Sequence, residues 1–367
     1  ATGTLEITPE TDQHGTVTIT VSVEDGGLDN DLDTSTDNAI ISRSFIVQIA
    51  RMDDFGDAPA SYPVTLADDG ARHGSHLPDW VQLGDNIYGD SLDDLLGEGV
   101  SVSGDGSTIA VGASGYDGDS NNMGRVKIFR QDGQALLQLG DAIEGELGGN
   151  RYGRVISLSG DGNIIAIGVP GSNSGGNAAA GNVRIYSWDG QAWTKLGAEL
   201  GGEADGDNAG FSVALSSDGF TVVIGAANSD GNGHSAGYAK IFSWGGENWN
   251  QVGGAIEGEA NDRLGVSVAI SHDGTIVALG APSSNYLNPK GYVSIYSWTG
   301  QAWSQLGSEI DGEADGDLSG QAISLSGDGT TVAIGARQNA GNGYRAGHTR
   351  IFNWDGSNWN QLGDDID

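Results

Sequence analysis

The sequence predicts an all-β chain: a β-propeller of four-stranded blades, with five repeats visible, preceded by part of a β-sandwich. Three observations carry that expectation. A Trp-centred motif returns at a near-constant interval, apolar residues alternate with a period of two, and Asp-Gly pairs sit between the alternating runs. Alternation marks strands with one buried face, and Asp-Gly supplies the two positive φ angles of a tight hairpin turn. A fixed long period built from such hairpins is the signature of a repeat architecture.

Taken in chain order, residues 1–52 come first. Val17, Ile19, Val21 and Val23 share one face of a run that begins at Thr16, so this segment is expected to be a strand. Ser44–Ile49 is expected to be a second strand, and Leu5–Ile7 a third. So few strands do not make an independent core. They resemble the closing strands of a cadherin-like or immunoglobulin-like sandwich whose earlier strands lie upstream. Residues 53–79 read as a linker. Within it Asp54-Phe55-Gly56-Asp57-Ala58-Pro59 is similar to a segment of large bacterial surface proteins. At the other end Gln361-Leu362-Gly363-Asp364 stops inside a motif that elsewhere runs on, so both ends are expected to be cut from a longer chain.

Residues 80–367 carry the repeats. Trp80-Val81-Gln82-Leu83-Gly84 recurs from Leu136, Trp193, Trp249, Trp303 and Trp359, at intervals of 56, 57, 56, 54 and 56 residues. Units 1 to 5 start at Gly97, Gly153, Gly210, Gly265 and Gly320, each eight residues before the Asp of an Asp-Gly pair. In unit 3, Val213 and Leu215 define strand A, Val222 and Ile224 strand B, Lys240 to Phe242 strand C, and Trp249 to Val252 strand D. Four strands per repeat match a propeller blade. Gly-Ala in strand B, as at Gly225-Ala226, suits a crowded position. The pairs Trp188/Trp193, Trp244/Trp249, Trp298/Trp303 and Trp354/Trp359 read as cross-strand packing at the C–D turn. Lys127, Arg184, Lys240 and Arg350 recur on one face of strand C, which is therefore expected to be exposed.

Gly265-Val266-Ser267-Val268 with Gly280-Ala281-Pro282 resembles the FG-GAP repeat of integrin α propellers, and Tyr152-Gly153 approximates its opening pair. The resemblance implies an extracellular recognition module. That family's calcium loop lies between these two strands, where this chain has only turns such as Ser216-Ser217-Asp218-Gly219, so its metal site does not carry over.

Composition narrows the function. Fifty Asp and Glu against 16 Lys and Arg give a net charge of −34. Phosphate backbones require clustered Lys and Arg, so nucleic-acid binding is not expected. The absence of cysteine removes disulfides, thiolate metal sites and thiol catalysis. No apolar run approaches the length of a membrane span, so membrane insertion is not expected. Any metal would be a hard cation, and the acidic loops are the candidate ligands for Ca²⁺. These are Glu203, Asp205 and Asp207; Glu313, Asp315 and Asp317; Asp117 and Asp119; and Asp29, Asp31 and Asp33. The competing reading makes them acceptors for loop N–H groups. No nucleophile elbow, phosphate loop or sialidase Asp box is present, so no catalytic residue is assigned. The sequence thus points to a non-catalytic adhesion, matrix or surface-fibre module on the cell surface. Its expected partners are an extracellular protein, a glycan or other copies of the assembly. A carbohydrate-binding or carbohydrate-active propeller is the second reading.

Overall fold

Alternation and turn chemistry dictate short antiparallel strands, and a computed structural model shows them throughout the residues it describes: 15–24, 40–49, 82–283 and 290–367. The chain forms two compact units, Ala1–Gln82 and Leu83–Asp367. In the first, β1 (Gly15–Glu24) pairs antiparallel with β2 (Ile40–Ile49) in unbroken register from Gly15↔Ile49 to Glu24↔Ile40. The third strand expected at Leu5–Ile7, the residue 53–79 linker and Asp29, Asp31 and Asp33 lie outside the described residues.

The second unit is a β-propeller of five successive antiparallel sheets, each a meander of strands A to D. In unit 3 these are Ser212–Leu215, Thr221–Ala226, Tyr238–Trp244 and Trp249–Gln251. After strand D, a two-residue piece pairs back onto strand C, as Ile256–Glu257 does on Ala239 and Tyr238. This return strand is present in units 1 to 4. In unit 5 an isolated bridge between Thr349 and Ile366 takes its place.

The core lies between sheets rather than within one. Each hydrophobic cluster joins two consecutive units: Val126 and Ile128 pack with Ile165 and Ile167, and Ala239 and Ile241 with Val277 and Leu279. The strand B glycine is required by this stacking. A Cβ at Gly168, Gly225 or Gly280 would strike the carbonyl oxygen of the next unit's opening glycine, Gly210, Gly265 or Gly320. Those opening glycines hold φ of 84 to 88°, the left-handed region that favours glycine. The Trp pairs face each other across the C–D turn with ring centroids 5.4–5.5 Å apart. The second Trp of each pair also donates its indole N–H to the preceding unit, as Trp303 does to Val252 O at 2.8 Å.

Among the described residues the stack does not close on itself. Val213 and Leu215 of unit 3 are each 8% exposed, whereas their counterparts Val100 and Val102 in unit 1 are 65% and 56% exposed. At the far end, the nearest atom to a Cβ built on Gly335 is 3.6 Å away, and no sixth unit covers it among the described residues. Gly84 lies beside Leu136 as Gly140 lies beside Trp188, which places the first motif copy ahead of unit 1 and away from unit 5.

Candidate functional site

Short turns occupy one end of the sheets, and the B–C and D–A loops meet at the other. Asn177 Nδ2–H donates to Glu203 O at 2.6 Å, and Ala178 N–H to Asp205 Oδ1 at 2.7 Å. The loops therefore brace one another across each unit.

The D–A loops contain two repeating acidic columns with different tasks. The inner column is buried: Asp94, Asp207, Asp262 and Asp317 are between 2% and 5% exposed. Asp207 Oδ2 accepts the N–H groups of Glu203 and Ala204 at 3.0 Å, and Asp317 Oδ2 those of Ala314 at 2.8 Å and Asn339 Nδ2 at 3.0 Å. Each closes its own loop as a side-chain acceptor. The outer column pairs with strand C. Glu203 Oε1 meets Lys240 Nζ at 2.6 Å, Glu146 meets Arg184 at 3.1 Å, and Asp90 meets Lys127 at 2.8 Å and also Arg125. Glu313 lies 3.9 Å from Arg350 and 3.7 Å from His348.

The strand C cations are thus not an exposed face, contrary to the expectation from alternation. Arg184, Lys240 and Arg350 are only 7–8% exposed. A buried charge must be paired, and the loop acid meets that requirement. The return strand adds a second lid. It is only two residues long, too short to leave a periodic signal.

In unit 3 this arrangement leaves a cavity of about 480 Å³ lined by Glu203, Asp205, Asp207, Asp230, Tyr238, Lys240, Gln251, Ala255 and Glu257. The space exists because Ala255 stands where units 2 and 5 place Glu199 and Asp365. Burial and the carboxylates of Asp207 and Glu203 raise the Tyr238 hydroxyl pKa, so it stays protonated. Sequence reasoning named Glu203, Asp205 and Asp207, which the structure brings together here. It missed Tyr238, Lys240 and Glu257, which the strand register brings to the same recess.

The remaining predicted residues lie elsewhere. Asp117 Oδ1 accepts Asn122 N–H at 2.7 Å within the unit 1 loop, and Asp119 and Asp315 are exposed. Glu313 belongs to a different group: with His348 and Asp365 it offers ligand atoms all within 4.8 Å of one another.

No family model matches this chain, and no curated protein matches its sequence. Solved structures do resemble it. A periplasmic gluconolactonase of Pseudomonas aeruginosa has TM-score 0.49 and 16% identity, over 76% of this chain and 73% of that one. A 6-phosphogluconolactonase-like protein of Bacteroides uniformis has TM-score 0.44 and 11% identity, over 74% and 85%. The propeller domain of the Trilobed protease of Pyrococcus furiosus, described as having an open velcro topology, has TM-score 0.42 and 13% identity, over 72% and 70%. At these identities the likeness shows the fold alone. It also corrects two expectations. The integrin-type FG-GAP identity finds no support. The non-catalytic adhesion reading, with its assignment as no enzyme, is corrected too: proteins named as lactonases share the fold, so the fold does not license an assignment as no enzyme. A β-propeller is no argument against catalysis.

Proposed function

We propose that this chain is a carbohydrate-active propeller that takes a small polyhydroxylated, sugar-derived substrate in the unit 3 cavity and hydrolyses it. The observation that carries the reading is the wall of that cavity. Five carboxylates, one ammonium, one amide and one phenol converge on about 480 Å³, a space of the size small ligands occupy. Carboxylates accept hydrogen bonds from sugar hydroxyls, while Gln251 both accepts and donates. Lys240 Nζ, held by Glu203 at 2.6 Å, is a fixed donor toward a carbonyl or ring oxygen of the substrate. Glu257 is placed to take a proton from an attacking water, while Asp230 accepts the Ser235 N–H at 2.7 Å and lies 3.4 Å from His234. The names of the lactonase neighbours suggest the first substrate to try, but the cavity supports the reading.

We place the activity outside the cytoplasm, where salt screens a surface with a net charge of −34. The test is calorimetric titration with glucose, gluconate and glucono-δ-lactone, alongside a pH-stat assay of lactone opening. Binding of at least one compound, lost in Lys240→Met and Glu257→Gln, supports the reading. A wild-type protein that binds none of them overturns it.

A further inference from the structure

One register position of strand C carries a different residue in each unit but Tyr in two. Arg125, Asn182, Tyr238, Tyr292 and His348 pair in turn with Ala113, Val169, Ala226, Ala281 and Ala336 of strand B. Unit 5 therefore places an imidazole there, and the His348 side chain is only 1% exposed. Two acids come to it from separate segments: Glu313 from the loop before strand A, and Asp365 from the residues after strand D. A two-bond bridge fixes the second of these beside the histidine. Thr349 N–H donates to Ile366 O at 2.9 Å, and Ile366 N–H to Thr349 O at 3.0 Å.

The three side chains meet at one point, with ligand atoms all within 4.8 Å of one another. His348 Nδ1 lies 3.7 Å from Glu313 Oε2 and 3.5 Å from Asp365 Oδ2. These separations exceed the roughly 2.7–3.2 Å of an N–H···O hydrogen bond. They are close to the edge, about 3.3–3.4 Å, of a tetrahedron of ligands about 2.0–2.1 Å from a zinc ion. The other oxygen of each acid is turned elsewhere. Asp365 Oδ1 accepts Gln361 Nε2–H at 2.7 Å, and Glu313 Oε1 faces Arg350 Nη1 at 3.9 Å. Arg350 is itself anchored, its Nη2 donating to the Asp311 carbonyl at 2.5 Å. Each carboxylate thus has one oxygen oriented by the protein and one directed at the imidazole, as outer partners orient metal ligands. The buried ring has no hydrogen-bond partner at Nε2, so its polar contacts lie on the Nδ1 side.

The other units use these positions differently. Units 1 and 3 have Ala142 and Ala255 where unit 5 has Asp365. In unit 2 Asn182 donates to Glu199 at 3.1 Å, and an ammonium spans the two acids: Lys195 Nζ is 3.3 Å from Glu146 and 3.1 Å from Glu199. In unit 4 Tyr292 turns to the inner acidic column and donates to Asp262 at 2.8 Å. Unit 5 has Gln361 at the Lys195 position, and that amide is engaged with Asp365 Oδ1.

We propose that unit 5 holds a divalent transition metal, Zn²⁺, through Glu313 Oε2, His348 Nδ1 and Asp365 Oδ2. The imidazole decides the class of metal. Ca²⁺ takes oxygen ligands, whereas nitrogen combined with carboxylate suits zinc. Two carboxylates and a neutral imidazole match the charge of the ion. The Glu313 and Asp365 side chains are 45% and 29% exposed, so the fourth tetrahedral position opens to solvent and takes a water or another oxygen ligand. Of the loop acids expected to bind Ca²⁺, only Glu313 belongs to this site, which is separate from the unit 3 cavity.

The experiment takes the whole chain without an affinity tag, strips it with chelator, and titrates it with Zn²⁺ by calorimetry and with Co²⁺ by visible absorption. Two variants are compared: His348→Asn, which carries the unit 2 residue, and Asp365→Ala, which carries the residue of units 1 and 3. Wild type is expected to bind one equivalent of Zn²⁺ more than either. The remaining histidines are common to all three proteins, so metal held by them cancels in the difference. Wild type alone should show the visible bands of four-coordinate Co²⁺, and excess Ca²⁺ should not displace the bound zinc. If one variant fails to fold by circular dichroism, the other decides, since each removes a different ligand. A wild type that binds no Zn²⁺ overturns the site, as does a folded variant that binds as many equivalents as wild type. Displacement by Ca²⁺ overturns the assignment to zinc.

Discussion

Asp328 shows how a single side chain holds a turn in this protein. Its Oδ1 accepts the Ser326 hydroxyl at 2.6 Å, the Thr330 N–H at 3.0 Å and the Thr330 hydroxyl at 2.8 Å. Ser326 Oγ in turn accepts Thr331 N–H at 2.9 Å. These bonds favour the carboxylate, the Ser326 hydroxyl most strongly, and lower its pKa to about 2. The sign of the pH dependence follows from linkage. A depressed pKa contributes stability that is full above the unfolded value, near 3.8, and lost as pH falls through the folded value, about 2. Asp328→Asn should therefore melt below wild type at pH 7, and the gap should close as pH falls from 4 toward 2. A melting series across that range measures it, and a gap that stays constant would show that the charge is not what the turn uses. The Ser-x-Asp-Gly spelling was legible in the sequence as a tight turn. Which atoms accept was not, because a turn motif fixes backbone angles and leaves side-chain partners open.

At the scale of the strand, the glycine of strand B separates two explanations of its recurrence. If glycine were there for its backbone, all five positions would be equally intolerant of a side chain. The structure assigns it to stacking, since Gly280 meets the Gly320 carbonyl and Gly335 meets nothing closer than 3.6 Å. Gly280→Ala should cost about 1–3 kcal/mol of unfolding free energy, the usual range for overpacking. Gly335→Ala should stay within about 0.5 kcal/mol of wild type. Urea denaturation of both variants checks the contrast, and equal losses would return the explanation to backbone freedom. Alternation predicted the strands and their pairing well, as in Val222↔Phe242 and Phe242↔Gln251. It misjudged the cation face because periodicity tells which residues share a side and not what covers that side. Glu203 arrives on Lys240 from a loop, and Glu199 on Arg184 from the position just before a return strand, Leu200–Gly201, too short to show a period.

Across the whole propeller, the decisive property is that its core consists of contacts between neighbours. A sheet in the middle of the stack is packed on both faces, and an end sheet on one. The repeat in the sequence made the number of units readable. It could not tell whether unit 5 meets unit 1, because every unit carries the same two packing columns whether or not a partner is there to use them. The exposure of Val100 and Val102 and the open space at Gly335 give the answer. Stability in such an array is close to a sum of unit and interface terms, so the ends open before the middle. Hydrogen exchange should then be graded along the chain. Amides of Val222 to Ile224 in unit 3, all at most 2% exposed, should exchange last. Those of Val100 to Val102, paired with strand B on one edge and uncovered on their apolar face, should exchange first among the A strands. A closed ring would give all five units the same protection, so equal exchange in units 1 and 3 would mean that the first sheet is covered in solution. A gradient that falls from unit 3 toward both ends would mean that each sheet draws its stability from the neighbours stacked on it.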